Sequence, residues 1–206
     1  MADTLVVGLT GPIGSGKSSV CKIFVSRGYV VVDADRLAKK VVEKGSKTLC
    51  ELSEKFGFDV INEDGTLNRK MLAQKAFSSK ENTELLNSIT HPAILALVKK
   101  EIKENAENGN TKIIYDAPQL FESGSDSLCD KVVCVIAKKE KRIERVRKRD
   151  NMPYADIENR ISVQYSDGFF TEKSDYIIEN NTSLDELLVR TNEVIDEIEK
   201  VHNGSL

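Results

Sequence analysis

Long apolar runs are missing from these 206 residues, and no stretch reaches the roughly 20 residues that a helix needs to span a bilayer. A secretory start is missing too. "MADTLVVGLTG" carries an acid, Asp3, where a leader carries positive charge, and no cleavage-like region follows, so a cytoplasmic protein with no membrane partner is expected. The 4 cysteines, Cys21, Cys50, Cys129 and Cys134, form no C-x-x-C pair and stand at no zinc-ligand spacing from a histidine. They read as small thiols in a reducing compartment. A net charge of -3 argues against a general nucleic-acid binder. The basic run "KKEKRIERVRKR" (138–149) has no interleaved aromatic residue on which bases could stack, so it too speaks for no nucleic acid. Internal repeats, low-complexity tracts and long linkers are also absent.

What is present suits one soluble domain with room for an inserted lobe. Five short apolar runs read as strands buried on both faces: "TLVVGLT", "YVVVDAD", "KIIYDAP", "KVVCVIA" and "SDYIIEN". Helical patterns fill the intervals 17–27, 35–44, 46–56, 68–77, 81–105, 139–149, 154–166 and 183–201. Strand alternating with helix predicts an α/β fold with a mostly parallel five-stranded sheet. Residues from about 36 to 110 hold helices and no convincing strand, which predicts a helical lobe inserted between the second and third strands.

"GLTGPIGSGKSS" (8–19) completes the pattern G-x-x-x-x-G-K-S through Gly11, Gly16, Lys17 and Ser18. Glycines let a backbone wrap so that successive N–H groups face one phosphate, and the loop feeds a helix whose N-terminus carries partial positive charge. Lys17 suits the β- and γ-phosphates, and the Ser18 hydroxyl suits Mg²⁺. Pro12, Ile13, Gly14, Ser15 and Ser19 make up the rest of this ATP loop. A GTPase switch would add N-K-x-D, and a motor ATPase an apolar strand ending in Asp-Glu; neither is found. A small-molecule kinase, with an acceptor pocket and a water-excluding lid, fits better.

Asp33 and Asp35 end the second strand, where ligands bind in open α/β sheets. Two residues apart on extended chain, their carboxylates are expected on one side. One suits proton removal from an attacking hydroxyl; the other either holds Mg²⁺ or the acceptor, or, as Asp35, caps the next helix. Asp116 ends the strand "IIYDAP", where it suits binding Mg²⁺ through water or orienting the acceptor, and Pro118 turns the chain away there.

Together these stretches, with "DGTLNRKMLAQKAF", "ITHPAI", "DAPQLFES", "RVRKRD", "RISVQ" and "SDYIIENNTS", resemble the dephospho-CoA kinase family, in its order and spacing from Leu5 to about Leu188. The resemblance implies a three-layer P-loop kinase fold in one domain, 1–206. Its core is about 4–35, 111–137 and 174–201; its helical acceptor lobe is 36–110 and its lid 138–170. It implies transfer of the γ-phosphoryl group of ATP, with Mg²⁺, to the ribose 3′-hydroxyl of dephospho-CoA. Asp33 matches the base, Lys17 the charge that follows the phosphate, and Arg145 the lid arginine ranked first for the transferring group. Arg149 falls on the ATP side, while Asp35, His91, Asp116 and Arg160 fall on the acceptor side. Asn180 matches a late loop beside adenine. Pro92 suits the first turn of a helix capped by Thr90 or His91. A monomer is the simplest expectation.

The chain departs from the family pattern at Pro12 (commonly glycine), Ser19 (threonine), Gln119 (leucine), Arg142 (glutamine) and Ser174 (alanine). Pro12 and an Asp-x-Asp also occur in shikimate kinases, the rival reading. A nucleotide-binding regulator without catalysis is the more remote one, because it has no use for a base and an arginine lid together.

Overall fold

The computed structural model describes residues 4–204. Asp3, on which the reading against a leader rests, lies outside them. Five strands form one sheet: β1 (Leu5–Thr10), β2 (Val30–Asp33), β3 (Lys112–Asp116), β4 (Lys131–Ile136) and β5 (Tyr176–Glu179). Their spatial order is β2-β3-β1-β4-β5. The pairs β1–β3, β1–β4 and β4–β5 are parallel. This is the expected mostly parallel α/β sheet, and β1 is buried at all six positions, as a strand covered on both faces must be.

Aspartates before two strands set where pairing starts. Asp130 Oδ2 accepts from Val6 N at 2.7 Å, and Asp175 Oδ2 accepts from Val132 N at 2.7 Å. Each carboxylate stands in for a ladder carbonyl, so a backbone donor near the strand start is satisfied without another strand residue.

Nine α-helices are found among the described residues: α1 (Lys17–Ser26), α2 (Ala34–Lys40), α3 (Lys47–Phe56), α4 (Arg69–Ala76), α5 (Lys80–Glu107), α6 (Lys139–Asp150), α7 (Tyr154–Ser162), α8 (Asp167–Lys173) and α9 (Leu184–Gly204). The chain divides into two compact units, 1–32 with 104–206, and 33–103. In the first unit α1 and α9 pack on each other and on the sheet, burying Phe24, Leu187, Ile195 and Ile198 with Leu9, Val133 and Ile178. The second unit has its own apolar cluster, in which Val42, Leu52, Phe56, Val60, Leu72 and Ile89 meet.

Three expectations are corrected. Pro92 does not open a helix but lies inside the 28-residue α5, so neither Thr90 nor His91 is a cap. Proline lacks the N–H that would have bonded to the Ser88 carbonyl, and the helix continues past that single missing bond. Thr90 is helical, and its hydroxyl donates back to Leu86 O at 2.8 Å. Next, the pattern 154–166 ends early: α7 stops at Ser162 and a separate helix, α8, begins at Asp167, capped by Ser166 Oγ accepting from Phe169 N at 3.2 Å. Last, the extended chain ends at Asp33, and Asp35 is already in the first turn of α2. Its carboxylate and that of Asp33 therefore do not lie along one face of a strand. The cap of α2 is Asp33, whose Oδ1 accepts from Arg36 N at 3.0 Å.

Candidate active site

The loop 11–16 joins β1 to α1. Gly11, Gly14 and Gly16 have φ of 140°, 77° and 106°, so the chain reverses its curvature repeatedly within six residues. Ser15 N donates to Pro12 O at 3.2 Å, which closes the turn. Pro12, buried here, takes part through its carbonyl, a function that its missing N–H leaves intact. Gly16 O accepts from Ser19 N at 2.9 Å and so opens α1. The start of an α-helix carries partial positive charge, which makes that end suited to an anion. Lys17 Nζ donates to Gly11 O at 2.7 Å, and the side chain therefore bridges the loop. Ser18 is exposed in the first turn of α1, with its hydroxyl available as a hard oxygen donor.

Three side chains distant in sequence hold this loop. Asn180, 5% exposed, follows β5, and its backbone N donates to Ile136 O at 2.8 Å. Its Nδ2 donates to Ser15 O at 2.8 Å. Arg145 Nη1 donates to Gly14 O at 3.4 Å and Ser15 O at 3.3 Å, while Nη2 donates to Asn180 O at 2.9 Å and Asn180 Oδ1 at 3.2 Å. From beyond α7, Gln164 Oε1 accepts from Ile13 N at 2.9 Å. The buried Arg142 lies behind Gly14 and pairs with Asp167 through Nη1 and Oδ1 at 2.9 Å.

The structure thus brings Lys17, Ser15, Arg145 and Asn180 together. Arg149 does not join them: four residues after Arg145, it forms a two-point pair with Asp150, with Nε–Oδ1 and Nη2–Oδ2 both at 2.7 Å. Arg160 is exposed on α7. Asp116 ends β3, Asp33 ends β2, and His91 sits on α5 in the second unit. Sequence reasoning missed Gln164, although it closes the quoted "RISVQ". It also missed Glu122 in "DAPQLFES", whose carboxyl is raised above its ordinary value by lost solvation, with the Lys17 ammonium pulling the other way.

Residues 5–186 match the family model described as dephospho-CoA kinase. The chain belongs to the dephospho-CoA kinase family. A dephospho-CoA kinase of Corynebacterium glutamicum is 42% identical over 94% of this chain and 100% of its own length. One from Syntrophotalea carbinolica is 41% identical over 88% of this chain and 86% of its own. The solved dephospho-CoA kinase from Campylobacter jejuni has a TM-score of 0.71 and 26% identity, over 96% of this chain and 98% of that one. Shikimate kinase from Acinetobacter baumannii, at 12% identity and a TM-score of 0.52, shares the fold alone. Dephospho-CoA kinases are transferases that use ATP and dephospho-CoA, and the fold here is that of the P-loop kinases.

Proposed function

We propose that the chain transfers the γ-phosphoryl group of ATP to the ribose 3′-hydroxyl of dephospho-CoA, giving coenzyme A and ADP. The observation that carries this reading is the loop 11–16 with Lys17 across it, in a chain of this family. The loop amides and the start of α1 bind the phosphates. Lys17 exchanges its Gly11 carbonyl for phosphate oxygens and follows the transferring group. Arg145, fixed against the loop, adds positive charge where the equatorial oxygens gather negative charge. Arg149 and Asn180 belong to the ATP side, and Arg149 must leave Asp150 to reach a phosphate.

Asp33 accepts the proton of the 3′-hydroxyl as that oxygen attacks. Asp35, His91, Asp116 and Arg160 serve the acceptor. A magnesium ion fits these residues as a passenger on ATP. No group of three or more His, Cys, Asp or Glu among the described residues could hold one, whereas Ser18 offers a single exposed oxygen. When bound it neutralises phosphate charge.

Incubation with ATP, magnesium and either dephospho-CoA, shikimate or a nucleoside monophosphate, read by mass spectrometry, tests the assignment. Coenzyme A and ADP from dephospho-CoA alone are expected. Product from shikimate alone would transfer the reading to the rival kinase.

A further inference from the structure

We infer that Asn180 is a positioning residue for the phosphate loop: it holds the Ser15–Gly16 peptide so that the Gly16 N–H faces the bound phosphate. The inference rests on the proposed nucleotide role of the loop and gives Asn180 a task other than the adenine contact expected from the sequence. Ser15 O accepts from Asn180 Nδ2 at 2.8 Å and from Arg145 Nη1 at 3.3 Å, so two donors hold that carbonyl on one side. No cis peptide bond is found among the described residues. In a planar trans peptide the N–H points opposite to the C=O, so fixing the Ser15 carbonyl fixes the direction of the Gly16 N–H. The other half of Gly16 is fixed as well, since its carbonyl accepts from Ser19 N and Val20 N at the head of α1.

Access explains the glycine. A Cβ on Gly16 would stand 2.1 Å from Asn180 Nδ2. Only a residue without a side chain lets the asparagine amide approach, and its φ of 106° excludes most others independently. Asn180 is itself set firmly: its N–H continues the pairing of β5 with β4, and its own carbonyl and Oδ1 both accept from Arg145. A buried side chain with its oxygen on an arginine and its nitrogen on a carbonyl has one orientation that satisfies both ends.

The test compares Asn180→Asp and Asn180→Ala with the unaltered chain by NMR titration of the ¹⁵N-labelled protein with ADP and, separately, adenosine. Aspartate keeps the shape and the arginine partner but sets an oxygen against the Ser15 carbonyl. The dissociation constant for ADP should rise about 10- to 100-fold, the range for one hydrogen bond to a charged group, and that for adenosine should hold within about twofold. An equal loss for both ligands would instead make Asn180 an adenine contact, and no loss for either would remove the role altogether. Should neither variant fold, the unaltered chain decides. Its Asn180 side-chain amide protons should exchange slowly with solvent, and its Gly16 amide should move downfield with ADP. Exchange as fast as that of an exposed asparagine overturns the inference. An unaltered, folded chain that ignores ADP would count against the proposed function instead.

Discussion

The two compact units hold themselves together over very different distances along the chain. In the unit that carries the phosphate loop, the polar contacts that shape the site join residues far apart: Ile13 with Gln164, Gly14 with Arg145 and Ser15 with Asn180. In the helical unit the polar contacts are mostly local. Asp64 receives the amide and hydroxyl of Thr66, Thr83 Oγ1 donates to Ala76 O, and Lys75 Nζ reaches Phe56 O. Both units have an apolar core, but the loop 11–16 of the first is shaped in addition by a few directional bonds from distant residues. Precision is concentrated where phosphate is expected.

The largest effect is expected at Asp33. Asn is as good a helix cap as Asp, so Asp33→Asn keeps the bond from Arg36 N while removing the proposed base. Turnover should fall about 10²- to 10⁴-fold with ADP affinity and melting temperature held. Near-normal turnover would move proton removal to Asp116 or to water. In Gly16→Ala the overlap with Asn180 adds to a strained φ that itself costs about 1–3 kcal/mol. ADP affinity should drop about 100-fold or more, measured by calorimetry, while the helical unit stays folded.

Leu72→Ala probes the opposite side of the comparison. It empties part of the helical cluster and should lower stability by about 2–5 kcal/mol in urea, with ADP affinity unchanged. A parallel loss of ADP affinity would show that the two units do not act separately. The smallest effect concerns thiols. Burial pushes Cys134 up to about 12, and burial with nearby carboxylates does the same for Cys129, so both stay neutral and unreactive at pH 8. Exposed Cys50, in the helical unit, should take up a thiol reagent first, and mass mapping of the modified residue checks it.

Periodicity and punctuation carry the fold because they are local. The five apolar runs became the five strands, and "GSGKSS" became a loop entering a helix, since glycine placement and apolar patterning act over a few residues. Pro92 misled for the same reason: proline disfavours a helix interior locally, and the helix-forming runs on both sides outweigh it. The break between α7 and α8 was legible in "SDGF", where Ser166 precedes an acid, but the preceding periodicity masked it. Site contacts were less legible. Nothing within "ENN" indicates that Asn180 reaches a carbonyl 165 residues earlier, because that meeting is made by strand order and not by neighbouring residues.

The walls of the phosphate loop come from residues 135–180. A Cβ at Gly11 would strike Val135 O, one at Gly14 Arg142 O, and one at Gly16 the Asn180 amide. Hydrogen bonds from Gln164, Arg145 and Asn180 tie the loop to this later part of the chain. Thermodynamic linkage then couples the two: a ligand that selects this loop shape also favours the docked state of that segment. Nucleotide should slow hydrogen exchange most in β4, α6 and the end of β5, far along the sequence from the loop 11–16.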